Sequence, residues 1–323
     1  MAKVVRIHST GGPEVLTYED VDVGAPGAGE IRVAHEACGL NFIDTYHRSG
    51  LYPLPLPSPI GLEAAGTVTE IGDGVTDLKV GDRIAYGTGP IGSYATERVM
   101  PAAKVVKIPE GIETNQAAGM MLKGMTVEYL IRRTFTVKPG DTVLFHAAAG
   151  GVGLIACQWL KQIGATIIGT TGSEEKAELA KAHGCDHVIL YRDEDVVSKV
   201  KELTDGKGVP VVYDSVGKDT WEMSLDCLQP RGTMVTFGNA SGPVDNVNIG
   251  ILAAKGSLYV TRPTLMTYTA SREDLVESAT ALFDAVSKGV KIEVNQSYAL
   301  ADVQKAHTDL EARKTTGSTI LIP

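Results

Sequence analysis

The chain has 323 residues, room for about two domains of ordinary size with cores of their own. Hydrophobic residues make up 43% and charged residues 21%, a usage that excludes wholesale disorder, a collagen-like repeat and a long coiled coil. Against 39 Asp and Glu stand 30 Lys and Arg, and the net charge of −9 repels nucleic acid and anionic membrane surfaces. Met1-Ala2-Lys3-Val4-Val5-Arg6 puts only two apolar residues between charges, so no export signal is expected and a cytoplasmic location is. Cys38, Cys157, Cys185 and Cys227 lie far apart without a C-x-x-C pair, which argues against a disulfide framework or a zinc knuckle.

Up to about residue 119 the chain reads as short strands broken by turns. Gly11-Gly12-Pro13, Gly24-Ala25-Pro26-Gly27, the proline-rich loop 53–59, Gly72-Asp73-Gly74 and the glycines of 87–92 supply the breaks. Between them lie β-branched runs such as Ile31-Arg32-Val33 and residues 66–71. From about residue 141 the rhythm becomes apolar strand, helix-length segment, apolar strand, which predicts βαβ units. The predicted strands are 142–145, 166–170, 187–191, 209–214, 233–238 and 257–260, together a doubly wound parallel sheet. Val152, Ile155, Ala156, Trp159 and Ile163 form a helical stripe that stops at Gly164. The uncharged stretch 142–160 therefore reads as strand, turn and helix rather than a membrane span. After Pro263 come an amphipathic helix, 271–288, a short helix and a last strand, 318–322. These are too small for a core of their own and are expected to complete the first module. The expected domains are thus a β-rich module of residues 1–125 and 264–323, and a dinucleotide-binding module of residues 126–263.

Directly after the first parallel strand comes Ala147-Ala148-Ala149-Gly150-Gly151-Val152-Gly153. Glycines there let the backbone turn sharply and approach a pyrophosphate, while the helix N-terminal amides hold its charge. Ala148 stands where the commoner fingerprint has Gly. An NAD site would end the second strand with an acid, but residues 169–173 carry none. Ser173, Lys176, Tyr191 and Arg192 instead suit a 2′-phosphate, so NADPH is the expected cofactor. Glu174 and Glu175 oppose this unless they face solvent, and a solvated face is the competing reading of Lys176 and Arg192.

The motifs Gly12-Pro13-Glu14-Val15-Leu16, Gly61-Leu62-Glu63-Ala64-Ala65-Gly66, Val80-Gly81-Asp82-Arg83, Ala147 through Gly153, Tyr213-Asp214-Ser215-Val216-Gly217 and Thr261-Arg262-Pro263 run nearly end to end. With them the chain resembles the medium-chain dehydrogenase/reductase superfamily, and within it the NADPH:quinone oxidoreductases related to zeta-crystallin. The resemblance implies an α/β protein with a GroES-like β-rich catalytic domain and a doubly wound Rossmann-like parallel sheet. It also implies a homodimer, which the last sheet strand, 257–260, would build by pairing with its copy. Zinc-dependent relatives carry a C-G-x-C stretch and Gly-His-Glu. Here Asn41 and Leu62 replace two of the three protein ligands, so no metal is expected.

Within this resemblance Asn41, Tyr46 and Tyr52 are the expected catalytic residues. Asn41 would donate to the oxygen that becomes negative, and a tyrosine would donate or relay a proton. Their competing reading is as loop or cap structure and as packing. Thr126 and Tyr129 resemble positions lining the nicotinamide, whereas Lys123 is expected to pair with an acid. Phe237, Gly238 and Ser241 follow the fifth strand at the carboxyl edge of the sheet and are expected at the nicotinamide. Arg313 and Gly317 match the family's terminal loop and are expected near the cofactor. A quinone is electrophilic enough for direct hydride transfer without a metal. The alternatives are reduction of an α,β-unsaturated carbonyl, or a non-catalytic NADPH- or RNA-binding protein. The net charge and the lack of a basic run weaken the last.

Overall fold

The six apolar segments of the second half form one parallel sheet in the order His187–Leu190, Thr166–Thr171, Thr142–Phe145, Val209–Asp214, Leu228–Thr236, Tyr259–Thr261. This is the doubly wound order of dinucleotide-binding folds, with its switch point where the chain crosses from the first strand to the fourth. Val143 pairs with Ile167 on one side and Val211 on the other. The central strands Thr142–Phe145 and Val209–Asp214 are almost wholly buried, as strands of a parallel sheet covered on both faces are. The helix Gly151–Ile163 buries Leu154, Ile155, Ala156, Cys157, Trp159 and Leu160 and stops at Gly164 with φ 92°. Of the expected stripe, Ile155, Ala156 and Trp159 are buried, while Val152 and Ile163 at its ends are only half-buried.

Two strand boundaries differ from the sequence expectation. The fifth strand begins at Leu228 rather than residue 233 and ends at Thr236 rather than 238, because its last partner, Asp214, ends the neighbouring strand. The edge strand starts at Tyr259 rather than residue 257, because Ser257 has φ 56°, outside the extended region.

The computed structural model describes residues 1–323 as two units. The unit holding the parallel sheet comprises Thr126–Tyr268 and Ser287–Lys291. It ends at Tyr268 rather than residue 263 because the short helix Leu265–Tyr268 is tied back to it. There Tyr268 stacks on Tyr129 at 4.6 Å, its carbonyl accepts from Arg133 at 2.9 Å and its hydroxyl from Thr134 at 3.0 Å.

The other unit comprises Met1–Met125, Thr269–Val286 and Ile292–Pro323. Its main sheet runs Val294–Ala299, Ser318–Ile322, Glu30–Leu40, Glu63–Ile71, Arg83–Tyr86, Val106–Lys107. The long strand Glu30–Leu40 pairs with Glu97–Pro101 along its first half and with the final strand at Cys38, Gly39 and Leu40. Ile31, Val33, Val68, Ile84, Tyr86, Tyr94, Leu300 and Leu321 meet in its core. No helix of the chain is long and apolar enough to cross a membrane.

Candidate active site

The glycine loop opens the helix Gly151–Ile163, whose first-turn amides have no acceptor within the helix. At Gly153 a Cβ would lie 2.4 Å from Ala147 O and 2.6 Å from the Ala148 carbonyl, so only glycine lets helix and strand approach this closely. Ala148 is fully buried, and its methyl faces Gly169, where a Cβ would sit 2.6 Å from it. The strand thus supplies the room that a glycine at 148 would have left. Ala147 holds φ 55° and donates to Thr170 Oγ1 at 3.4 Å. His146 bridges the same hydroxyl (2.9 Å) and Ser224 (3.0 Å), and Ser224 donates to Asp214 at 2.7 Å. Burial lowers the His146 pKa, so the bridging ring is neutral. Asp214 also accepts from Val216 and Gly217, which joins the glycine loop to the loop after the fourth strand. Spacing gave no signal for His146; Asp214 stands in the motif Tyr213 through Gly217, which assigned it no role. The cradle fits a pyrophosphate: close-packed glycines, a helix N-terminus and a braced loop.

Around the end of the second strand, Ser173 is the N-cap of the helix Glu174–Ala182, its Oγ accepting from Lys176 N at 3.4 Å. Its own hydrogen remains a donor. Lys176 is half-buried on the first turn, while Glu174, Glu175 and Arg192 are exposed. The acids do face solvent. Tyr191 N donates to Thr171 O at 3.2 Å, and the Tyr191 hydroxyl lies 2.7 Å from where a Gly172 Cβ would be. Ser173, Lys176 and Tyr191 are thus gathered at one strand end, with a cationic and hydroxyl character suited to a phosphate.

Phe237 packs against Phe145 with centroids 6.0 Å apart and planes tilted by 56°, and a Cβ on Gly238 would meet Ser215 O at 2.3 Å. Ser241 donates to Val216 O at 2.9 Å and accepts from Asp219 N at 3.0 Å. With its hydrogen engaged, the Ser241 side chain can only accept from a ligand. Thr126 is buried and hydrogen-bonds Tyr129, whose hydroxyl pKa is raised by burial and whose ring is covered by Tyr268. In the other unit Arg313 is exposed with φ 58°, and Gly317 adopts φ 56° beside Glu293 O.

Asn41 ends the strand Glu30–Leu40 and caps the helix Phe42–Ser49. It is 5% exposed, and its Nδ2 donates to Glu63 Oε2 at 2.7 Å. Glu63 is fully buried and also accepts from Leu122 N (2.9 Å) and Lys123 Nζ (3.2 Å). Lys123 does pair with an acid, and that acid holds Asn41. The cap and donor readings of Asn41 are therefore compatible: one amide hydrogen is fixed by Glu63, and one remains. Tyr46 on the same helix lies edge-to-face with Tyr52 at 5.3 Å, and Tyr52 with His47 at 6.0 Å.

These residues do not fit the zinc of the wider superfamily. Leu62 is buried and apolar, and Asn41 offers only a neutral amide, one hydrogen of which Glu63 holds. Burial pushes the Cys38 thiol up to about 12, and it donates to Ser93 O at 2.9 Å. A tetrahedral zinc needs charged or imidazole donors that these positions lack.

Sequence reasoning missed a buried row behind Asn41. Asp44, Tyr94, His307 and Arg48 follow one another by hydrogen bonds of 2.7, 3.4 and 3.2 Å, and Arg48 grips Glu311 by two more. No local motif announces it, since the partners come from distant segments.

Comparison with known proteins agrees with this anatomy. Residues 27–110 match the alcohol dehydrogenase GroES-like domain, and residues 151–284 match the zinc-binding dehydrogenase family. The chain is 57% identical to a quinone oxidoreductase of Pseudomonas aeruginosa, with all of both chains covered. It is 46% identical to a 2-haloacrylate reductase of a Burkholderia species, covering 100% of this chain and 99% of that one. The crystal structure of Escherichia coli quinone oxidoreductase complexed with NADPH superposes with a TM-score of 0.98 at 53% identity, covering 99% of this chain and 100% of that one. Full-length identity of this order, on a GroES-like unit and a doubly wound nucleotide unit, makes the chain a member of the quinone oxidoreductases of the medium-chain dehydrogenase/reductase superfamily.

Proposed function

We propose that this chain reduces quinones by direct hydride transfer from NADPH, without a catalytic metal. Asn41 carries the reading: a buried, uncharged amide, oriented by Glu63 at 2.7 Å, stands where metal-dependent relatives place a ligand. Relatives of 53–57% identity bear the name quinone oxidoreductase, and one was crystallised with NADPH. NADPH, when bound, supplies the hydride. The chain's own residues do the rest. Gly150, Gly151, Val152 and Gly153 hold the pyrophosphate, with Ala148 shaping the turn. Ser173, Lys176, Tyr191 and Arg192 hold the 2′-phosphate. Thr126, Tyr129, Phe237, Gly238 and Ser241 flank the nicotinamide, and Arg313 and Gly317 approach the cofactor from the terminal loop. Asn41 donates to the quinone oxygen as it gains charge, and Tyr46 and Tyr52 orient the ring and hand on a proton. The GroES-like unit thus handles substrate and the nucleotide unit the cofactor. The working form is a cytoplasmic homodimer joined at the edge strand Tyr259–Thr261.

A second reading, reduction of an electron-poor alkene, is favoured by the 46% identity to a 2-haloacrylate reductase. Absorbance loss of NADPH and of NADH, after dialysis against a strong chelator, separates the two with 1,4-benzoquinone, a bulky ortho-quinone and an enone. Chelator-resistant, NADPH-selective quinone turnover is expected. Preference for the enone selects the second reading, and tight NADPH binding without turnover refutes both.

A further inference from the structure

Asp44 lies one helical turn after Asn41 and is fully buried. Its Oδ2 accepts from Asn41 N at 2.9 Å and from the Tyr94 hydroxyl at 2.7 Å, while its Oδ1 has no hydrogen-bond partner. The direction of the row behind it is fixed by chemistry. Arg48 only donates, so His307 Nδ1 accepts from it at 3.2 Å, and the imidazole hydrogen sits on Nε2 facing Tyr94. Tyr94 then gives its own hydrogen to Asp44. Every bond in the row points toward one carboxyl whose second oxygen is bare.

We propose that Asp44 is a positioning residue: its neutral carboxyl clamps the Asn41 backbone without adding charge beside the Asn41 amide, and its ionisation slows quinone reduction. The inference rests on the reading of Asn41 as the donor to the quinone oxygen. Hydride transfer leaves that oxygen negative. Asn41 already touches one carboxylate, Glu63, which Lys123 balances at 3.2 Å. A second, unbalanced carboxylate one turn away in dry surroundings would oppose the new charge.

The other groups facing Asp44 do not compensate it. Arg48 is matched by Glu311 through bonds of 3.0 and 2.7 Å. Burial holds His307 down to about 3 and keeps it neutral, and burial likewise lowers His47 on Asp44's own helix. Cys38, on the preceding strand, stays a thiol. Burial raises the Asp44 carboxyl to about 7 against the opposing pull of Tyr94, the Asn41 amide and Lys123, with Glu63 adding to the rise. Both states are therefore populated near neutrality. The proton released on ionisation goes to solvent, so the overall reaction, quinone plus hydride plus proton, is unchanged in balance.

The test measures kcat with 9,10-phenanthrenequinone at saturating NADPH from pH 5.5 to 8.5 for the full chain, Asp44→Asn and Tyr94→Phe. The unsubstituted chain is expected to lose about tenfold in kcat between pH 6 and pH 8. Asp44→Asn flattens the profile. Tyr94→Phe removes a bond that favours the ionised form, so the falling limb moves to higher pH. An infrared titration of the ligand-free protein reads the same group without turnover: a protonated-carboxyl band at pH 6 that Asp44→Asn abolishes. A limb that persists in Asp44→Asn, a loss uniform across pH, or an absent carboxyl band overturns the proposal. A lack of quinone turnover in the unsubstituted chain refutes the functional reading instead.

Discussion

Replacing Lys123 by Met tests the anchor behind Asn41. The substitution keeps an apolar stem of similar length and removes the ammonium 3.2 Å from Glu63. The Lys123 side chain is 7% exposed and that of Glu63 0%, so water cannot replace the lost partner. Breaking a buried pair by removing one ion costs about 3–5 kcal/mol. Glu63 keeps two N–H donors, Leu122 at 2.9 Å and Asn41 at 2.7 Å, which places the loss near the lower end, about 3 kcal/mol. At about 2–4 °C per kcal/mol the melting point should fall by about 6–12 °C. Glu63→Gln with Lys123→Met removes both charges and should recover most of the loss, while kcat stays depressed because Asn41 no longer faces a carboxylate. Scanning calorimetry and quinone turnover on both variants read the two effects. A loss below about 1 kcal/mol for Lys123→Met, or a double variant no more stable than the single, refutes the reasoning.

Three further outcomes follow from the geometry. Gly153→Ala should cost about 1–3 kcal/mol and raise KM for NADPH at least tenfold, because its Cβ would meet backbone at 2.4 Å; melting and kinetics check it. Lys176→Ala should weaken NADPH about tenfold and leave NADH nearly unchanged, and equal effects on the two cofactors sink the 2′-phosphate assignment. His35, held down to about 4 by burial, and His307, to about 3, are depressed from 6.5 in the unfolded chain, so their contribution to stability is complete above pH 6.5 and lost as pH falls toward 4 and below. Asp44 has the opposite sign, raised from 3.8 to about 7. Its contribution is complete below pH 3.8 and lost as pH rises to 7, so the melting-point advantage of Asp44→Asn should grow across that window.

The nucleotide unit was the more legible part of the chain. The strands Thr142–Phe145 and Val209–Asp214 fall where apolar runs end at a glycine loop and at Asp214, because a parallel strand buried on both faces is continuously apolar. The start of Leu228–Thr236 left no apolar signal, because Gln229, Pro230 and Arg231 precede Thr233, where the ladder resumes. Asn41 was visible through its place in a motif. Its support was not: Glu63 reaches it from another strand, and Arg48 bonds His307 across 259 positions. Hydrogen bonds of that span leave no periodicity, and Phe42–Ser49 looks like any short helix.

The strand Ser318–Ile322 lies between Val294–Ala299 and the end of Glu30–Leu40. A chain leaving the ribosome presents Cys38, Gly39 and Leu40 long before Thr319, Ile320 and Leu321 exist to pair with them. The nucleotide unit, nearly contiguous from Thr126 to Tyr268, has no such wait. At about 5–20 residues per second the half-made sheet stays open for roughly 10–40 s of synthesis after its first segment is complete. The nucleotide unit can therefore complete its sheet while the edge at Cys38, Gly39 and Leu40 still lacks its last strand.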